Sequence, residues 1–266
     1  MYNYIMSYSV ADRFDNIYKH YGFGRYEETR SGHGSLLEST KKIREGIVSL
    51  IKDKKIKSVT DFPCGDFNWM KEIYLNFDRY VGCDISKTCI EDNKKKYPNI
   101  DFRCLNLIED EIPDNELLFV RDVLGHCPLE DAHKIIENIL KSKCRYVLTT
   151  TFAKITNERW GTVAECELPR MNENIQEHGH FYPINLMEAP FNWPLPEAFI
   201  EEDVEVINYD KGVRKALGLW EISKIKANFS NTKIVDTAQE NIITKLLETI
   251  SKSNSNIVIQ NLTINF

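Results

Sequence analysis

The chain has 266 residues, 42% hydrophobic and 28% charged, with a formal net charge of −6. That is enough to bury one substantial core, with or without a small appended lobe, and the acidic balance argues against a broad phosphate-neutralising grip on DNA or RNA. No apolar run reaches the roughly 20 residues that cross a bilayer, and Met1 to Tyr8 has neither the basic flank nor the apolar stretch of a signal peptide, so a soluble cytoplasmic protein is expected.

Residues 1–35 read as a cap segment rich in tyrosine and charge that ends in Arg30-Ser31-Gly32-His33-Gly34-Ser35. A helix is expected next, because Leu36, Thr40, Ile43, Ile47 and Ile51 recur at helical spacing and Ser35 with Glu38 spells a capping box. Val59 to Phe62 predicts the first strand and Tyr80 to Asp84 the second. A helix capped by Ser86 should run to Tyr97, followed by strands at Phe102 to Leu105 and Leu117 to Arg121. Pro128 to Lys141 predicts a helix with proline in its first turn, and Tyr146 to Phe152 a fifth strand. Strands and helices alternating with such short links imply an α/β fold, a doubly wound and mostly parallel sheet covered on both faces, with a ligand at the carboxyl ends of the strands.

From about Ala153 to Ile200 the rhythm breaks into an irregular stretch rich in aromatics and proline, which reads as a lid insertion. Strands are expected again at Val204 to Tyr209 and Gly218 to Ile222, which closes a domain over residues 36–230. Residues 231–266 read as an extension with a helix over Asp236 to Ser251 and a strand-like run over Asn256 to Phe266. That last run could pair with the edge of another copy or cap its own sheet. The seven cysteines include no C-x-x-C pair and several sit inside predicted strands, which suits reduced core packing better than disulfides or zinc.

The first strand ends in Asp61, turns through Cys64-Gly65-Asp66, and is followed by a second strand ending in Asp84. This is a nucleotide-binding layout, in which a tight turn lets backbone approach the ligand and the second acid accepts hydrogen bonds from ribose hydroxyls. With Asn106 after the third strand and Leu117 to Pro128 running into the pocket, these residues resemble the class I S-adenosylmethionine-dependent methyltransferases over roughly residues 55 to 152. Pro63 and Phe67 stand where that family usually has glycines.

The resemblance implies a seven-stranded Rossmann-like sheet, with Leu219 and Trp220 in its last strand, and S-adenosylmethionine as cofactor. Asp84 would hold its ribose, Asn106 its adenine, and Asp61 and Asp66 its amino acid end, with Cys64, Gly65, Ile85, Leu107 and Arg121 also among the cofactor-binding residues. Arg30 would pair with its carboxylate, and Arg121 stands close by. More narrowly, Asp61 to Met70, Arg121 to His126 and Ser31 to Ser35 look like a bacterial subgroup of sugar and capsular polysaccharide biosynthesis, including O-methyl phosphoramidate decoration. The implied partner is a small-molecule or saccharide-linked acceptor.

Methyl transfer is an in-line displacement, so the protein must chiefly align acceptor and methyl group. A sugar hydroxyl would also need a base, whereas an oxygen that is already anionic would not. His126 beside Asp122, past the fourth strand, is the first candidate base; His180, or its neighbour His178, in the irregular stretch is the second. Glu177, His178 and His180 can be read as a metal cluster, but no further ligand at fixed spacing accompanies them, so no metal is expected. The alternatives left open are an N-methyltransferase on a small molecule or nucleic acid and a noncatalytic cofactor-binding assembly subunit. A dinucleotide-dependent oxidoreductase is disfavoured, since G-x-G-x-x-G is missing after the first strand.

Overall fold

The computed structural model describes residues 9–156, 159–161, 177–202 and 213–229. The expected strand at Val204 to Tyr209, the middle of the irregular stretch and the helix and strand beyond residue 230 lie outside the described residues, as does any pairing through the last strand. The chain divides into a unit of residues 1–225 and one of 226–266, and the first is the one built below.

Its strands are β1 (Ser58–Asp61), β2 (Arg79–Asp84), β3 (Asp101–Cys104), β4 (Leu117–Val120), β5 (Tyr146–Thr156), β6 (Arg159–Gly161), β7 (Ala198–Glu201) and β8 (Val213–Glu221). They form one sheet of order β3-β2-β1-β4-β5-β8-β7, with β6 paired to β5 alone. The first five are parallel; β6, β7 and β8 are antiparallel to their neighbours. This is the doubly wound, mostly parallel arrangement that the alternation implied, and Leu219 and Trp220 do lie in a sheet strand. Strand order reverses between β1 and β4, so their carboxyl ends splay apart and leave a crevice there.

Helices α1 (Val10–Lys19), α2 (Lys41–Lys54), α3 (Lys87–Lys96) and α4 (Leu129–Lys141) accompany the sheet. In α2 the periodic Ile43, Ile47 and Ile51 are buried, as their spacing demanded, but the helix begins later than expected. Residues 33–35 form a separate 3-10 turn, and the Ser35 hydroxyl donates to the Ser31 carbonyl instead of capping a helix. Ser86 does cap α3, accepting from the Cys89 N–H, and Pro128 precedes the first turn of α4. The sequence reading missed α1, although Ser9 and Asp12 form the reciprocal capping box that their spacing allows.

Between β1 and β2 no α-helix forms, only 3-10 turns at Met70–Glu72 and Tyr74–Asn76. Phe67, whose φ of 59° lies in the left-handed region, cannot itself belong to a right-handed helix. Its ring is buried against Tyr74, Tyr80, Tyr97 and Phe102.

The irregular stretch also differs from expectation at both ends: 153–156 continue β5, and Ile200 belongs to β7. Its described part within that stretch, 177–197, is a strap that runs beside the carboxyl-terminal half of β5 and the turn after β4. The Phe152 N–H donates to the Ile184 carbonyl, Leu186 N–H to Thr151 Oγ1 and Tyr182 N–H to the Gly125 carbonyl. Tyr182, Phe191 and Trp193 are buried beneath it, and Trp193 meets Trp220 edge-on. Among the described residues no helix is long and apolar enough to cross a membrane.

Candidate active site

A cavity of about 340 Å³ opens at the carboxyl ends of β1, β2 and β4, within the range of about 300–1,000 Å³ typical of small-molecule sites. All ten residues expected to bind cofactor line it: Asp61, Cys64, Gly65 and Asp66 after β1, Asp84 and Ile85 after β2, Asn106 and Leu107 after β3, Arg121 after β4, and Arg30 from the cap segment. Asp122 and His126 line it too, so parallel strand ends gather residues up to 96 positions apart in sequence, from Arg30 to His126.

Asp84 is the pivot of the β1 turn. Its Oδ2 accepts the Gly65 N–H at 3.1 Å and its Oδ1 the Ser86 N–H at 2.9 Å, so the acid clasps the turn and the start of α3 together. Each oxygen retains a lone pair. Burial pushes this carboxyl up to about 6, against those N–H groups, which favour the ionised form. Gly65 stands at φ 52°, and a Cβ there would lie 2.5 Å from Ser31 Oγ, so the turn requires glycine for both its backbone and its close neighbour.

Asp66 caps no helix. Its carboxylate accepts from the Thr29 hydroxyl, the Arg30 N–H and the Ser31 hydroxyl, drawing the cap segment across the turn. Arg30 is thereby placed at the cavity, its guanidinium over the rings of Tyr18 and Tyr21 and 3.7 Å from Asp92. Helix α1 completes this wall with Val10, Phe14 and Tyr18, and is itself pinned where Asp15 accepts from Ser86 Oγ and the Thr88 N–H.

Asp61 is 2% exposed and accepts the Tyr80 hydroxyl at 2.7 Å. Burial pushes it up to about 8 despite that bond, so it is mainly neutral at pH 7. For Asp61 and Asp84 alike the folded value lies above the unfolded carboxylate value of about 3.9. At these two groups the folded state therefore binds protons more tightly, and the stability they contribute is fully present below about pH 4 and is lost as pH rises to about 6 for Asp84 and about 8 for Asp61. Between pH 5.5 and 8.5 the wild-type thermal midpoint should fall relative to that of Asp61→Asn, which keeps an acceptor for Tyr80 but carries no such proton. A difference between the two proteins that stays constant over this range would refute the assignment.

Asp122 has a φ of 55° and stands two residues past the end of β4; its N–H donates to Thr150 Oγ1. Burial raises this carboxyl, but the Lys215 and Arg121 charges more than offset it and hold it well below the usual carboxylate range. His126 is half-buried between the rings of Phe23 and Phe181. Its Nδ1 lies 2.8 Å from the His180 carbonyl, which can only accept, so Nδ1 carries the proton and a neutral ring keeps its lone pair on Nε2. Burial lowers His126 below the ordinary imidazole value against the pull of Asp122.

The structure does not bring His180 to the cavity. Its ring is exposed, 3.9 Å from Glu177, and its contribution is the backbone carbonyl that orients His126. His178 lies 2.9 Å from Asp131 on α4, and Arg13 of α1 donates to the His178 carbonyl and to Glu177. No group of three or more metal-ligating side chains occurs among the described residues. Lys215 and Glu202, which contact Arg121 and Asp122 from behind, escaped the sequence reading because no local pattern marks a pair 81 or 93 positions distant.

No protein-family model matches the chain, and no curated protein does. Among solved structures it is similar to the N-methyltransferase NodS from Bradyrhizobium japonicum WM9 in complex with S-adenosyl-L-homocysteine, at 9% identity over 77% of this chain and 98% of that one, TM-score 0.48. It is also similar to an S-adenosylmethionine-dependent methyltransferase from Clostridium acetobutylicum ATCC 824, at 11% identity over 71% and 95%, TM-score 0.48. A third is the methyltransferase domain of bacterial CtHen1, at 14% identity over 68% and 99%, TM-score 0.47. The fold rests on the strand order described above, and the chemistry on the cavity itself.

Proposed function

We propose that the chain is an S-adenosylmethionine-dependent methyltransferase acting on an oxygen of a small-molecule or saccharide-linked acceptor, in surface-glycan biosynthesis. The observation that carries this reading is the placing of Asp84, clasped to the Gly65 turn, and of His126, with a defined tautomer, on the walls of one cavity.

The residues present fit the cofactor. Asp84 keeps lone pairs for two ribose hydroxyls, Ile85, Leu107 and Ile108 offer apolar surface to a base, and Arg30 supplies a cation for a carboxylate. When bound, the group would supply a methyl on a positively charged sulfur. The protein's own work is alignment, worth up to about 7–11 kcal/mol, and handling of one proton. Neutral His126 would take the acceptor hydroxyl proton on Nε2 while Nδ1–H stays on the His180 carbonyl, and Asp122 would stabilise the imidazolium that forms.

His126→Ala should cut turnover by roughly 10²–10⁴-fold with little change in cofactor affinity. The acid limb of the wild-type rate profile should lie below the ordinary histidine range, because the base must be unprotonated and burial disfavours its charged form. Turnover unaffected by the substitution would point to an acceptor that is already anionic. The reading as a whole is tested by incubating methyl-labelled S-adenosylmethionine with sugar nucleotides, capsular fragments and RNA. Label passing to none of them, together with no calorimetric binding of the cofactor, would dismiss it.

A further inference from the structure

Four charged side chains meet behind the turn that carries Asp122 and His126. Arg121 donates through Nε and Nη2 to the two carboxylate oxygens of Glu202, at 3.2 and 2.6 Å, and its Nη1 lies 3.4 Å from Asp122 Oδ2. Lys215 Nζ lies 2.7 Å from that same Asp122 oxygen and 3.2 Å from Glu202 Oε2. Arg121, Glu202 and Lys215 are at most 8% exposed. Two cations balance two anions, and each ion has partners of opposite sign, the condition under which buried charges are tolerated.

The backbone at the centre of this cluster is costly to hold. Asp122 occupies the left-handed region without being glycine or lying in a surface turn, and it is fixed from three directions. Thr150 Oγ1 accepts its N–H and donates to Oδ1 at 3.3 Å, while Lys215 holds Oδ2. Strain that the surroundings over-determine at a cavity wall points to a functional constraint on the direction of that side chain. Glu202 and Lys215 come from the β7–β8 edge, and neither lines the cavity.

We infer that Lys215, itself held by Glu202, is a positioning residue for the acceptor end of the site: it fixes the direction and charge of Asp122 beside His126 and ties that turn to the β7–β8 edge. The inference rests on the methyltransferase reading. The charged groups acting on His126 are Asp122 from its own turn and Lys215 from β8, of opposite effect, and the strap adds only the backbone of Gly179 and His180. Removing the lysine therefore takes away a cation and frees an anion, both of which favour the protonated ring.

The test uses full-length protein, ligand-free for the titration. His126 is titrated by NMR, its signal assigned by loss in His126→Gln, in wild type, Lys215→Met and Lys215→Arg. The His126 midpoint should move to higher pH in Lys215→Met and return in Lys215→Arg, while S-adenosylhomocysteine affinity by calorimetry stays within about twofold, because the Asp84 end is separate. An unmoved or lowered midpoint overturns the inference, and so does a loss of cofactor affinity in step with the shift. If Lys215→Met fails to fold, the charge-balanced pair Lys215→Met with Glu202→Leu, which leaves Arg121 on Asp122, takes its place: a raised His126 midpoint supports the inference and an unmoved or lowered one overturns it. Should wild type bind no cofactor, the methyltransferase reading fails, yet the titration still decides the lysine's role.

Discussion

Asp84→Asn should weaken S-adenosylhomocysteine binding by roughly 10²–10⁴-fold, and Asp84→Ala should leave none that calorimetry detects. Each charge-assisted hydrogen bond is worth about 1.5–3 kcal/mol, and two ribose hydroxyls would place two of them on this carboxylate. Asparagine also turns one acceptor into a donor. Since Oδ1 already takes the Ser86 N–H and Oδ2 the Gly65 N–H, the amide must set its own N–H against one of them, loosening either the turn or the start of α3. The pH dependence separates this from a general loss of structure. Burial holds the free carboxyl at about 6, and ribose hydroxyls bind the ionised form far more tightly, because protonation weakens both oxygens as acceptors and makes one of them a donor. Wild-type affinity should therefore hold above pH 6 and drop by about tenfold per unit below it. The asparagine variant, having no such proton, should show no slope between pH 5 and 7. Equal affinities for wild type and variant at pH 7.5, with thermal midpoints also equal, would remove Asp84 from the site.

The parts of this molecule that could be read from sequence are those whose determinants lie close together in the chain. Ser86 caps α3 and Asp84 ends β2 because two residues separate the acid from its helix, and the alternation of short apolar runs with helical spacing required a parallel sheet. Ligand-facing residues at strand ends follow from that topology without any knowledge of side-chain packing, which is why Asn106 and Asp84 reach the same cavity as Gly65. Where local signals compete, the reading slipped. Ser35 and Glu38 match a capping box, but Ser35 finds the Ser31 carbonyl and the helix waits for Lys41. The capping box at Ser9 went unread amid a tyrosine-rich segment, and with it a wall of the cavity. His180 could be singled out as a titratable group but not as a carbonyl, since only the strap's hydrogen bonds to Gly125 and His126 turn its backbone inward. The Arg121, Asp122, Glu202 and Lys215 cluster joins the end of β4 to β7 and β8 across the intervening β5, and no spacing in the chain encodes it.

Phe67 carries the second large effect, and it resolves the oddest departure from the glycine pattern. A side chain in the left-handed region costs about 1–2 kcal/mol relative to glycine. Phe67 recovers more than that: its ring, 1% exposed, has four aromatic neighbours with centroids 5.1–5.4 Å away, and each such pair adds about 0.5–1.5 kcal/mol beyond burial. The aromatic cluster, and not conformational freedom, fixes this end of the turn. Phe67→Ala should accordingly destabilise the protein by about 3–5 kcal/mol in urea unfolding, with cofactor affinity lowered as the turn loosens. Phe67→Gly tests the balance, because it empties the same space but relieves the left-handed strain. It should be no less stable than the alanine variant, although glycine is the smaller residue and the more flexible in the unfolded chain. If glycine proves the worse of the two by more than about 1 kcal/mol, the left-handed geometry at residue 67 costs nothing. If either variant matches wild type, the aromatic cluster does not hold the turn.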